Sequence, residues 1–200
     1  MEYKAKCVFA GTFDPPTIGH KAMIEDCLQM FGETVVAVMV NPGKTPLFTK
    51  EERAEMLRLM FPGESRVKIV CFSGTAAELL RRENARVYVR GVRSVSDYER
   101  ETADYFISSK LNEDMLVAYL PCRQELLHVS STAVRNCLKF SVPIRGLVTK
   151  EVEKYVYAAR GNRTEKERTS EDDAGKTVLY SRPGGIHGGN AAAGGTQRGK

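Results

Sequence analysis

An α/β fold, built as an open parallel sheet of five strands with helices on both faces and followed by a disordered C-terminal tail, is the architecture this sequence predicts. Three observations predict it. Short apolar runs rich in β-branched residues recur at 7–10, 34–40, 66–72, 85–89 and 115–120. Segments of helical period separate them, the spacing that right-handed crossovers of a parallel sheet require. The polar motifs then follow the predicted strand ends, the edge at which such sheets bind ligands.

The first run, Cys7-Val8-Phe9-Ala10, leads into Gly11-Thr12-Phe13-Asp14-Pro15-Pro16-Thr17-Ile18-Gly19-His20 and then an amphipathic helix over 21–31. Gly11 permits a tight turn and the prolines stiffen the loop. Gly19 and His20 fall in the first helical turn, where unpaired N–H groups favour an anion. An ordinary strand-to-helix connection with an exposed histidine is the alternative. After the second strand, Asn41-Pro42-Gly43 makes a loop that holds Lys44. Thr49 and Glu52 form a capping box for a helix with Ala54, Leu57 and Phe61 on one face, ending before Pro62. A short helix at 76–84 precedes the fourth strand, which runs into Arg90-Gly91-Val92-Arg93. A helix at 96–111 offers Ala103, Phe106, Ile107 and Leu111 for packing. Ser130-Ser131-Thr132 caps a helix at 133–140, and a last helix spans 149–160.

Two hundred residues suit one domain, assigned to 1–160, with a tail at 161–200. That tail holds nine of the seventeen glycines and four large apolar residues, too few to offset the entropy of ordering it. No apolar stretch approaches the ~18 residues of a membrane span, so a cytoplasmic protein is expected. The five cysteines are widely spaced without a C-x-x-C pair, which favours free thiols over a disulfide or zinc framework. The net charge of +5 is spread out, with no basic stripe interleaved by aromatics, and nucleic-acid binding is not expected. Gly43-Lys44-Thr45 and Gly175-Lys176-Thr177 mimic a Walker A end. Val38 and Ser170 stand where its first glycine is required, which excludes a P-loop.

Each remaining candidate has two readings. Lys44 is either a solvated loop lysine or a phosphate contact. Arg90 and Arg93 present forked donors to phosphate at a strand end, or form salt bridges to Asp97 or Glu101. Ser130, Ser131 and Thr132 cap a helix and can hold a polyphosphate at the same time. His128 fills a loop or touches a nucleotide, and the charges of 97–101 suit a solvated helix face.

The decapeptide resembles the GxFDPxTxGH signature of the nucleotidyltransferases that carry an (H/T)xGH motif, here Thr17-Ile18-Gly19-His20. Arg90 to Glu101 resembles the RGxRxxxDxExE pattern of the bacterial phosphopantetheine adenylyltransferase family. Val129-Ser130-Ser131-Thr132 is similar to its (I/V)SS(S/T) motif, and residues 41–46 to its strand-end lysine loop. The likeness covers about residues 5–157. It implies a Rossmann-like catalytic domain that transfers AMP from ATP to 4′-phosphopantetheine, giving dephospho-coenzyme A and pyrophosphate. It implies His20, Lys44 and Arg90 as catalytic groups. Thr12, Lys44, Ala76 and Arg90 would meet the acceptor, although Ala76 stands where the family has a larger apolar residue. Thr12, Phe13, His20, Gly91, Val92, Arg93, Glu101, Leu126, Leu127, His128, Val129, Ser130, Ser131 and Thr132 would line the ATP site. Mg²⁺ held mainly through ATP, a homohexamer, and feedback inhibition by coenzyme A are further implications. Ser108 replaces a common asparagine, and the tail has no counterpart. The alternatives are a sister nucleotidyltransferase with another acceptor, such as nicotinamide mononucleotide, and a non-catalytic nucleotide-binding module.

Overall fold

Strand β1 (Lys6–Gly11) has neighbours on both sides because its apolar run is buried from end to end. A computed structural model describes residues 5–40, 43 and 45–161. The elements follow as α1 (Ile18–Met30), β2 (Glu33–Met39), α2 (Lys50–Met60), β3 (Val67–Phe72), α3 (Ala76–Glu83), β4 (Val87–Val92), α4 (Val95–Ser109), β5 (Leu116–Pro121), a 3-10 turn (Gln124–Leu126) and α5 (Ser131–Lys139). A helical stretch over 150–161, here α6, follows. All strand pairs are parallel and the order is β3-β2-β1-β4-β5. This is the expected five-stranded Rossmann-like α/β sheet. The order reverses between β1 and β4, and a crevice opens at the carboxyl ends of strands flanking such a reversal.

Strand alternation divides the core in two. Cys7, Phe9, Val36, Val38 and Val89 pack with α1, α2, α5 and α6 through Met23, Leu57, Leu138 and Val152. Val8, Ala10, Val35 and Ala37 pack on the opposite face with Leu79 and Leu80 of α3. Local signals place the helix ends. Thr49 and Glu52 form the expected capping box, each end worth ~1 kcal/mol. Thr75 with Glu78 repeats it on α3, and Asn84 ends that helix in the left-handed conformation.

Two local expectations change. Strand β4 continues through Arg90, Gly91 and Val92, since β5 pairs with each of them. The RGxR motif is therefore partly inside the sheet. On α4 the residues expected to pack face outward: Ala103 is exposed, Phe106 is 61% and Ile107 67% exposed, and Leu111 beyond the helix is exposed too. The helix turns Asp97, Glu101, Tyr105 and Ser108 toward the sheet instead. Polar ties set that phase: Glu101 pairs with Arg90, and the Tyr105 hydroxyl donates to the Met115 carbonyl at 3.4 Å.

Residues up to Arg160 belong to one compact unit. Of the tail assigned to 161–200, Gly161 continues α6 as its last residue, and 162–200 lie outside the described residues. Among the described residues no helix is long and apolar enough to cross a membrane.

Candidate active site

Gly11 closes β1 where Phe13 folds back over it; a Cβ at position 11 would stand 3.1 Å from the Phe13 ring. Phe13 holds a left-handed backbone (φ 50°), which costs a bulky residue on the order of 1–3 kcal/mol. Burial offsets this. The ring is 2% exposed and packs edge-on against Phe9 (centroids 5.7 Å apart) and the imidazole of His20 (5.0 Å). Phe13 is a wedge that orients His20.

Thr17 caps α1. Its hydroxyl accepts the His20 N–H at 3.4 Å, and its own N–H donates to His20 Nδ1 at 3.0 Å. The result is a capping box with histidine in place of the usual Glu or Gln. Because Nδ1 accepts, the proton of the neutral ring sits on Nε2. Desolvation first, and then the charge of Arg93, lower the imidazole pKa to about 4. At neutral pH His20 is an uncharged Nε2–H donor.

The second helix N-terminus is tied to the same loop. Ser130 caps α5, accepting the Ala133 N–H at 3.0 Å, and the Ser131 hydroxyl donates to the Pro15 carbonyl at 2.8 Å. Both N-termini line one cleft of about 620 Å³ at the carboxyl edge of the sheet. Its walls carry Arg90, Arg93, Arg123 and Arg135 against Asp14 and Asp26. Two helix N-termini with an excess of guanidinium groups make a site for a polyanion.

Both aspartates are engaged. Asp14 accepts the N–H groups of Leu47 (2.8 Å) and Phe48 (2.9 Å), and Asp26 pairs with Arg123 at 2.7 Å. Arg93 bonds Asp97 at 3.1 Å. Arg90 pairs with the buried Glu101 and donates to the Ala10 carbonyl and the Tyr88 hydroxyl, both at 3.3 Å. The ion-pair reading of these arginines is thus correct, and both still face the cleft.

Of the residues singled out in the sequence, the cleft brings together Thr12, Phe13, His20, Arg90, Gly91, Arg93, Leu126, Val129, Ser130, Ser131 and Thr132. Val92, Leu127 and His128 are not in its lining, and the latter two are exposed. Glu101 and Ala76 line a second cavity of about 240 Å³ between β4, β5 and α4, which shares Arg90 with the cleft. Lys44 lies outside the described residues, but Thr45 and Pro46 of its loop line the cleft.

Sequence reasoning missed Arg123 and Arg135. Arg135 lies one helical turn after Thr132, hence on the face that carries the cap. It donates to the Asp14 carbonyl at 2.6 Å and the Thr132 hydroxyl at 3.0 Å. Arg123 follows the end of β5, the position that had drawn attention to Arg90 and Lys44. Among the described residues no group of three or more His, Cys, Asp or Glu side chains is placed to hold a metal.

This fold and cleft define a nucleotidyltransferase-type protein, and a family model described as cytidylyltransferase-like matches residues 8–137. A phosphopantetheine adenylyltransferase of Heliobacterium modesticaldum is 34% identical over 159 residues, covering 77% of this chain and 95% of that protein. Those of Symbiobacterium thermophilum (39% over 143 residues; 72% and 88%) and Nitrosomonas eutropha (37% over 131 residues; 66% and 80%) are similar as well. The chain belongs to the phosphopantetheine adenylyltransferase family.

Proposed function

We propose that this protein transfers the adenylyl group of ATP to 4′-phosphopantetheine, releasing pyrophosphate and dephospho-coenzyme A. The observation that carries the reading is the convergence of two helix N-termini, the His20 donor and four arginines on one cleft.

A phosphate monoester is already ionised near neutral pH, so the nucleophile needs neither a general base nor a covalent intermediate. The barrier lies in bringing two anions into line and in the charge that builds at the α-phosphate. Arg90, fixed by Glu101 and Tyr88, offsets the charge of the acceptor phosphate. Lys44 is assigned to the same phosphate by family resemblance. His20 donates through Nε2–H to the α-phosphate as charge moves toward the leaving pyrophosphate. Because it is uncharged, it adds no cation that would hold the substrate as tightly as the transition state. The α5 N-terminus, Arg93 and Arg135 hold the β- and γ-phosphates.

Mg²⁺ fits as an ion carried by the nucleotide, since Asp14 and Asp26 are both engaged in the protein. It would neutralise phosphate charge there. The five free thiols suit a reducing compartment, and we place the reaction in the cytoplasm. The outward apolar residues of α4, Phe106 and Ile107 among them, support a homo-oligomer, for which family resemblance suggests six copies. Coenzyme A, which extends the product, is the candidate feedback ligand.

Pyrophosphate release, assayed with ATP and each of 4′-phosphopantetheine, nicotinamide mononucleotide and a cytidylyl acceptor, tests the reading. Turnover with phosphopantetheine alone is expected. ATP binding without turnover on any acceptor would leave a nucleotide-binding module.

A further inference from the structure

Arg53 of α2 is 2% exposed, yet it has no carboxylate within ion-pair distance among the described residues. Its guanidinium instead donates to three backbone carbonyls: Thr12 at 2.5 Å, Met39 at 3.4 Å and Thr49 at 3.2 Å. These belong to the exit of β1, the last residue of β2 and the cap of α2. A buried cation bonded only to neutral oxygens keeps an uncompensated charge, an unfavourable arrangement unless an anion comes close. The cleft beside Thr12 is built to receive one.

We infer that Arg53 is a positioning residue for the transfer reaction. Its rigid fork fixes the Thr12 carbonyl and the exit of β2, and so sets the spacing of the two loops that receive the reacting phosphates. Thr12 and Phe13 lie on one of these loops, Thr45 and Pro46 on the other. The Thr12–Phe13 peptide is planar and trans, so a carbonyl held by Arg53 directs the Phe13 N–H away from the guanidinium. The Asp14 carboxylate joins the same two loops again through the Leu47 and Phe48 N–H groups. A lysine cannot replace this fork, because one ammonium on a flexible stem does not span three carbonyls in fixed directions. The charge of Arg53 remains for the substrate to neutralise.

The inference rests on the adenylyl-transfer reading, and the test separates the two. In the full-length chain, assayed well below each variant's melting temperature, Arg53→Lys is expected to lower kcat by about 10–100-fold. Both KM values should stay within about threefold. Arg53→Gln, which removes the charge, is expected to weaken inorganic pyrophosphate binding about tenfold or more by calorimetry. A lowered melting temperature with unchanged kcat in Arg53→Lys would show a purely structural arginine and overturn the inference. So would unchanged pyrophosphate affinity in Arg53→Gln. Should neither variant fold, the ¹⁵N signal of the Arg53 guanidinium in the wild-type protein decides: it shifts on saturation with pyrophosphate, and an unmoved signal rejects the inference. A wild-type protein inactive on phosphopantetheine would sink the functional reading alone, leaving the two pyrophosphate measurements to judge Arg53.

Discussion

Helices α1 and α4 start alike and are held differently. Each follows a strand beside the cleft, and each has a hydroxyl cap, Thr17 or Ser94. Yet α1 buries Ala22, Met23, Ile24 and Cys27, whereas α4 buries only Glu101. The helix that aims His20 is anchored by close-packed apolar side chains, which permit little play in the donor's position. Met23 illustrates the fit: a Cβ on Gly91 would come within 3.0 Å of its methyl group. The other helix is fixed by an ion pair, a tyrosine hydroxyl and the edge-on contact of Tyr98 with Tyr119 of β5 (centroids 4.9 Å apart), and it leaves Phe106 and Ile107 largely exposed. One helix is completed by its own chain, and the other leaves large apolar side chains in the open.

The largest effect is expected from His20→Ala. It should lower turnover by roughly 10²–10³ while the KM for ATP moves less, as for the loss of one preorganised donor. Steady-state kinetics would show it, and an unchanged kcat would remove His20 from the mechanism. Phe106→Asp together with Leu111→Asp addresses the other helix. Sedimentation should find a smaller assembly if this face joins copies, while the melting temperature of the chain itself falls little, because both side chains are mostly exposed and Phe106 rests on the ring of its neighbour Tyr105. Retention of the wild-type mass would show that this face is not the contact.

The smallest effect concerns pH. An ordinary histidine gives activity a limb near 6.5, but His20 is held to about 4. Between pH 5.5 and 8, kcat should therefore be flat. Stability behaves differently. The unfolded chain binds the proton more readily between these two values, so the stability contributed by neutral His20 is complete above about 6.5 and is lost as pH falls toward 4. A kcat limb at 6.5 would mean that the ring is charged in the working site.

Much of this could be read in advance, for reasons particular residues make plain. Thr49 and Glu52 could be paired from their spacing because a cap involves neighbours three residues apart. The apolar run at 34–40 could be assigned to a strand covered on both faces because residues of both parities are apolar. The phase of α4 could not be read. Phe106 and Ile107 carry the apolar signal, but the Arg90–Glu101 pair, formed across eleven residues and two elements, decides which side meets the sheet. Arg53 was hidden in the same way. In a Lys-Glu-Glu-Arg helical start it looks solvated, and only the convergence of two strand exits above α2 buries it.

Alternating strands and helices, the caps and the order of the polar motifs were determined by the sequence alone. Each depends on steric and hydrogen-bonding preferences that act within a turn or a few residues. Only the tertiary structure decided that Arg123 and Arg135 join the cleft, that Glu101 stands behind Arg90, and that Phe13 is a buried wedge under His20. Those placements depend on crossovers that bring segments tens of residues apart to one edge of the sheet, and no local periodicity records where such segments meet.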